Sequence, residues 1–433
     1  MSLTKKTKLL FLSDVFLQPS TGLRRYASCI FLELNKYFEI IPYSCKGNNH
    51  NENFYTQLPI SEVNRGENIL SIKVLGIKIP WQGRYLTNLV SKIGKKNKQR
   101  KKTFSFVCLK ALREFLRLFV YLERHLEKRI IVNSNNLIVV FSPYEKIPEY
   151  LQRDNVLMVQ MLHDIVPIRF PEFCGSQKSF FRAWESLQKA DLILVNSKFT
   201  MDDALDFHPK LSGREIGVTL LGVSPRFDYK QTDEIKVVKE KLGIKENDSY
   251  ILALSTIEPR KNLPFLISCW NKIRKSEKIK NIKLVIAGRK GWGGVWDEIK
   301  VLIEENQRND ILQVGPVKDE YLPMLYAGCL FSVYPSKYEG FGLPILESMA
   351  CGKFCLSSNK TSMPEIIGNE LPMFDPYDEE DLISKISLLM NNRRVLEDFS
   401  RKAYERSKTF SWESTGEKTA KLIKEAFEKK HSN

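Results

Sequence analysis

Two glutamates, Glu339 and Glu347, bracket the run Tyr338-Glu339-Gly340-Phe341-Gly342-Leu343-Pro344-Ile345-Leu346-Glu347. A carboxylate can accept two hydrogen bonds from a vicinal diol, a chemistry suited to ribose or hexose hydroxyls. Gly340 and Gly342 allow a sharp turn and a close approach of backbone to a ligand. Pro344 is pre-set for the first helical position, so a helix is expected to begin there with Glu347 in its first turn. Free N–H groups around Phe341, Gly342 and Leu343 would then favour an anion such as a diphosphate. The bland alternative has Glu347 merely complementing the positive helix end and Glu339 solvated in the loop. The glycines and Pro344 between them favour the ligand reading.

A second segment, Ser255-Thr256-Ile257-Glu258-Pro259-Arg260-Lys261-Asn262, also lies between an apolar run and a helical pattern. Arg260 offers a planar fork for phosphate oxygens and Lys261 a point charge. Such a pair can neutralise a departing nucleoside diphosphate where no metal does so; as a solvated surface pair it would do nothing. In Leu162-His163-Asp164, at the end of a strand pattern, His163 is able to donate to a sugar hydroxyl or carry charge, or to be a satisfied structural residue. Gly22, in Thr21-Gly22-Leu23-Arg24-Arg25-Tyr26, marks a loop ahead of a helix without the G-x-G-x-x-G dinucleotide pattern. No D-x-D occurs, so no metal ligand is assigned.

These segments need strand ends to hold them. Short apolar runs alternate with amphipathic ones, the pattern of parallel sheets covered by helices. Strands are expected at 8–13, 40–44, 137–142, 156–162, 192–196 and 217–220, then at 250–254, 283–287, 311–314, 330–334, 354–357 and 372–374. Helical patterns include 25–36, 180–188, 263–275 and 381–390. The fold class is α/β, with two domains of similar size meeting near 224–245 and a cleft beyond their strand ends.

The 433 residues are 43% hydrophobic and 27% charged, which excludes a wholly disordered or collagen-like chain. The net charge of +16 calls for an anionic partner. The eight cysteines contain no C-x-x-C pair, which fits reduced thiols in a cytosol. The basic start runs straight into a buried-strand pattern rather than a signal peptide, and no uncharged stretch of about 18 residues occurs. The expectation is a cytoplasmic chain. Of the +16, +10 falls within the 39 residues 92–130, where Phe104, Leu112, Phe115, Phe119 and Leu122 recur at roughly helical spacing. That basic amphipathic region reads either as an element lying on the anionic inner face of the cytoplasmic membrane or as a helix packed on the sheet behind a lysine loop.

Taken together, the segments resemble the retaining glycosyltransferases of family 4, in order and over nearly the whole chain. The resemblance is carried by Gly22…Tyr26, His163-Asp164, Glu258-Pro259-Arg260-Lys261-Asn262, Gly288-Arg289-Lys290-Gly291-Trp292, Gly315…Tyr326, the Glu339…Glu347 run, Pro364-Glu365 and Phe410-Ser411-Trp412. It implies the GT-B architecture: a Rossmann-like acceptor domain over 1–225 with the 92–130 insertion, a Rossmann-like nucleotide-sugar domain over 226–405, and a C-terminal helix, 406–433, crossing back to the first domain. It further implies that Glu347 binds ribose and Glu339 a hydroxyl of the transferred sugar. Lys261 and Arg260 would neutralise the diphosphate, with Gly340, Phe341, Gly342 and Leu343 offering backbone groups. His163 would touch the donor sugar and Gly22 the diphosphate. Gly288, Lys290, Gly315 and Val317 would complete the nucleotide site. Many members have a Gly-Arg pair where this chain has Ser255-Thr256, which removes one phosphate cation.

The wording of the 258–262 and 288–292 segments is most similar to members that use GDP-mannose to build bacterial surface polysaccharides on lipid-linked acceptors. The implied activity is metal-independent transfer of a hexose from a nucleoside diphosphate-sugar to a saccharide acceptor, polyprenyl- or lipid-linked, with no cofactor besides the donor and no nucleic-acid partner. The alternatives are a UDP-sugar-dependent transferase of the same family, a nucleotide-sugar 2-epimerase, or a basic nucleic-acid-binding protein.

Overall fold

A computed structural model describes residues 7–13, 22–43, 71–74, 77–80, 138–174, 176–229, 233–274, 282–305 and 310–432. The basic region 92–130 lies outside them. The chain forms two compact units, one of Met1–Cys45 with Leu137–Asn433 and one of Lys46–Asn136. In the smaller unit the described residues form an antiparallel hairpin, with Ile72 opposite Ile79 and Lys73 opposite Lys78. Its strands, β3 (Ser71–Val74) and β4 (Ile77–Pro80), are four residues each. Runs that short carry little periodic signal, and the sequence reading passed over them.

The larger unit holds two parallel sheets. The first contains β1 (Lys8–Leu12), β2 (Glu39–Tyr43), β5 (Ile138–Ser142), β6 (Val156–Leu162), β7 (Leu192–Val195) and β8 (Glu215–Val218), in the order β2-β1-β5-β6-β7-β8. The second contains β9 (Ser249–Leu254), β10 (Ile282–Ala287), β11 (Ile311–Gly315), β12 (Ser332–Tyr334) and β13 (Cys355–Ser357), in the order β11-β10-β9-β12-β13. Helices cover both, so the strands are near-continuous apolar runs; every residue of β6 is buried. Strand order reverses between β1 and β5 and again between β9 and β12. These switch points are where open α/β sheets bind ligands, just past the strand ends.

The expected α/β architecture of two Rossmann-like lobes is therefore present. The run 372–374 is the exception among the strand expectations. It contributes one bridge, Phe374 beside Ser358, because Pro372 has no N–H to continue a ladder. The helix Trp412–Ser432 returns to the first lobe, as GT-B architecture requires. It buries Thr415, Thr419, Ala420, Ile423 and Ala426, and its Lys430 ammonium sits 2.8 Å from both carboxylate oxygens of Asp191. Cys29, Cys174, Cys269, Cys329, Cys351 and Cys355 are free thiols. No described helix is long and apolar enough to cross a membrane.

Candidate active site

Past Tyr334 at the end of β12, the chain makes an irregular loop before the helix Leu343–Ala350. Gly342 caps that helix with φ of 122°, a conformation that L side chains rarely adopt. Gly340 serves a different end. A Cβ there would stand 1.8 Å from the His163 carbonyl oxygen, so the loop is pressed against the first lobe. The helix starts at Leu343 with Pro344 second, one residue before the expected start. Glu347 consequently lies beyond the first turn, buried, rather than in it.

Glu339 is also buried. Its Oε1 accepts hydrogen bonds from Ser336 Oγ at 2.6 Å and Tyr334 Oη at 3.0 Å, and pairs with the Lys261 ammonium. Its Oε2 lies 2.6 Å from an Arg260 guanidinium nitrogen. Burial works against the charge, but Arg260 and Lys261 outweigh it and hold the carboxyl down to about 2. A carboxylate so stabilised is a weak base and a weak nucleophile.

The cations are placed by the turn Pro259–Lys261, four residues past the end of β9, ended by Asn262 in a left-handed conformation before the helix Leu263–Ile273. Arg260 Nε lies 2.6 Å from Glu258 Oε1, and its NH1 donates to the Tyr338 carbonyl at 3.0 Å. Burial opposes the Arg260 charge, yet Glu339 and Glu258 more than offset it, so the guanidinium is held more firmly charged. Lys261 donates to Tyr334 Oη at 2.7 Å. Burial, and then the neighbouring Arg260, lower its pKa. An anion entering beside Lys261 would oppose both effects. Tyr334 and Ser336 were not among the site residues expected from sequence; a hydroxyl at a strand end carries no distinguishing pattern.

His163 follows β6 and packs its ring edge-on to Tyr26, with centroids 4.8 Å apart. Its Nε2 lies 2.8 Å from the Pro143 carbonyl oxygen. A carbonyl only accepts, so Nε2 carries the proton and Nδ1 is left as an acceptor. Burial pushes the ring down to about 4. The sequence reading allowed His163 to donate to a sugar or to carry charge. Near neutral pH the geometry leaves neither role, because the one proton is already committed.

Glu347 pairs with Arg25 of the helix Gly22–Leu34, and a second Arg25 nitrogen lies 3.6 Å from Asp319. Burial raises the Glu347 pKa and Arg25 partly restores it. A cavity of about 810 Å³ lies between the lobes. Gly22, His163, Arg260, Lys261, Gly288, Val317, Glu339, Gly340, Phe341, Gly342, Leu343 and Glu347 line it. Arg25 and Tyr334 line it too, as does Asp164, whose carboxyl is shifted upward by burial. Two expected residues do not. Lys290 faces outward, 3.4 Å from Asp297, because the 288–292 loop turns its side chain away. Gly315 ends β11 and accepts from Gly288 N–H at 2.8 Å, supporting the wall without lining it.

The assembled chemistry is two cations, their two acidic partners Glu258 and Glu339, a neutral acceptor imidazole, and a helix whose glycine-rich start opens into the cavity. Residues 234–406 match the family of glycosyl transferases group 1. Over 290 residues the chain is 31% identical to O-antigen chain mannosyltransferase B of Escherichia coli, a match covering 66% of this chain and 74% of that protein. It is 30% identical over 266 residues to the serotype-specific mannosyltransferase WbdA of Escherichia coli, where the match covers 59% of this chain and 32% of the other. The fold is similar to that of sucrose-phosphate synthase from Thermosynechococcus elongatus, with a TM-score of 0.65 at 15% identity over 98% of this chain and 99% of that one.

Proposed function

The chain belongs to the group 1 glycosyl transferases, a hexosyltransferase by that membership, and from this premise we propose that it moves mannose from GDP-mannose to a lipid-linked saccharide in bacterial surface polysaccharide synthesis, with retention of configuration. The observation that carries the reading is the juxtaposition of Arg260 and Lys261 with the opening of the helix Leu343–Ala350 on one cavity wall. Mannose is favoured by the mannosyltransferase names of the two Escherichia coli relatives. The lipid-linked acceptor follows from the basic 92–130 stretch, which suits the anionic inner face of the cytoplasmic membrane.

In this reading the diphosphate lies against Arg260, Lys261 and the backbone N–H groups from Phe341 to Leu343. As the bond from C1 to the diphosphate oxygen breaks, those groups stabilise the charge that develops on the leaving group. The acceptor hydroxyl forms its bond to C1 on the same face and passes its proton to a diphosphate oxygen. No protein nucleophile is required, which suits a Glu339 already committed to four donors. Glu339 holds the cations in place and faces the sugar, His163 accepts from a sugar hydroxyl, and Glu347 meets the ribose. No cofactor beyond the donor takes part.

A thermal-shift panel of GDP, UDP and ADP with their sugars, followed by transfer assays with and without EDTA, tests this. Stabilisation by GDP and GDP-mannose above the others, with transfer within twofold in EDTA, is the expected result. Preference for UDP would overturn the donor assignment. Turnover of UDP-N-acetylglucosamine without an acceptor would point to epimerisation instead.

A further inference from the structure

The loop that carries Glu339 is docked on one helix of the opposite lobe, Lys198–Phe207. Ser197, its N-cap, donates from Oγ to the Gly340 carbonyl at 2.7 Å, and Thr200 Oγ1 lies 3.2 Å from the same oxygen. The backbone N–H groups of Lys198 and Phe199 donate to the two carboxylate oxygens of Glu365 at 2.9 and 2.7 Å. The Tyr338 hydroxyl donates to Asp203. Asp203 is in turn held by Arg169 Nε at 2.9 Å. The Phe199 and Tyr338 rings meet edge to face, 5.5 Å apart. Ser197, Thr200, Asp203, Tyr338 and Glu365 do not line the cavity. Their contacts end on the residues flanking Glu339 and on the segment just past Ser362, whose hydroxyl lies 2.9 Å from the Glu339 carbonyl.

We propose that Tyr338 is a positioning residue for the transfer reaction: its hydroxyl, gripped by Asp203, fixes the 338–342 loop against the first lobe, so that the Glu339, Arg260 and Lys261 cluster reaches working geometry only when the lobes close. The proposal rests on the transferase reading above. Arg260 ties the two halves of the argument together, because its NH1 donates to the Tyr338 carbonyl while also pairing with Glu339. A loop freed at Tyr338 loosens both contacts at once. Burial pushes the Tyr338 hydroxyl's pKa up, which keeps on it the proton it donates to Asp203.

The test uses the full chain with Tyr338→Phe, Asp203→Asn and the double substitution, each first checked for a cooperative melt. Transfer from GDP-mannose should lose about tenfold to a hundredfold in kcat in each single variant, the range expected for one hydrogen bond to a charged partner. GDP affinity should weaken by about threefold to tenfold, in step with the closure that binding no longer drives, and the share of donor lost to water should rise. The double variant should be no worse than either single one, because both remove one bond. X-ray scattering with GDP and with UDP should show the wild type compacting and both variants failing to compact, a readout that holds whichever base the donor carries. Multiplying losses in the double variant, a kcat within twofold of wild type, or equal compaction in all proteins would overturn the proposal. Inactivity of the wild type with GDP-mannose, beside normal compaction by UDP, would overturn the donor assignment and uphold the docking.

Discussion

Arg25, near the start of the first lobe's opening helix, forms an ion pair with Glu347 in the helix Leu343–Ala350 of the second lobe. The pair spans the cavity, so each lobe supplies the charge that makes the other's burial tolerable. Removing Arg25 leaves a carboxylate buried without its cation, a change that costs several kcal/mol in fully buried pairs. Arg25→Ala should lower stability by about 2 kcal/mol, discounted for the cavity's partial access to water. Glu347→Ala should cost less, because Arg25 keeps Asp319 within reach. In urea titrations of the double-mutant cycle, a coupling of at least about 1 kcal/mol is expected, and simple additivity would remove the pair from the account.

Glu339→Gln separates two roles for that carboxylate. If Glu339 anchors the cations, the substitution weakens their placement and lowers kcat by about a hundredfold to a thousandfold, with no covalent intermediate. Lys261→Ala should cause a similar loss, since the cation proposed to stabilise the leaving diphosphate is gone. Intact-mass measurement during turnover checks the point. A glycosyl adduct on the wild-type chain, absent in Glu339→Gln, would make Glu339 a nucleophile after all.

Acid should destabilise the protein in two overlapping windows. His163 titrates near 4 when folded against 6.5 as the ordinary value, so below 6.5 the unfolded chain takes up the proton first. Stability is therefore lost as pH falls from 6.5 towards 4. Glu339, near 2 when folded against 4.5, contributes stability above 4.5 that is lost as pH falls towards 2. Each group's full contribution is on the order of 3 kcal/mol. His163→Asn should flatten the pH dependence of the urea midpoint between 6.5 and 4 while leaving the lower window in place; an unchanged slope would sever His163 from it.

Gly340→Ala tests the approach of the lobes. The added methyl group would meet the His163 carbonyl oxygen and, at 2.9 Å, the Asp164 Cβ. Backbone on one side leaves little room to yield, so the loop must back away and carry Glu339 with it. A displacement of about 1 Å should lower kcat/KM about a hundredfold. Activity within threefold of wild type would show that the contact is slack.

Much of this was legible in the residues. The alternating apolar runs announce both sheets, because parallel strands buried on two faces cannot afford polar alternation. The glycine-rich run before Pro344 announces a helix opening into a cleft, and the Arg260-Lys261 pair announces a cationic wall of that cleft. Three things were hidden. Tyr334 and Ser336 reach Glu339 only because β12 ends where it does, a matter of strand register that no motif records. The His163 proton is committed by Pro143, twenty residues away in sequence, and only the adjacency of β5 and β6 brings them together. Lys290, expected to help complete the nucleotide site, pairs with Asp297 instead, since a glycine loop does not reveal which way its side chains turn.

The return of the helix Trp412–Ser432 to the first lobe has a consequence for biosynthesis. Its buried face covers strands that leave the ribosome more than 200 residues earlier, for Lys430 contacts the Val156 carbonyl at the head of β6. Until the entire second lobe has been translated, the strands on which this helix packs lack its buried face. A chaperone, or the growing second lobe itself, must shield them in the interval. Premature termination anywhere between the lobes would therefore release an aggregation-prone fragment rather than a stable half-enzyme.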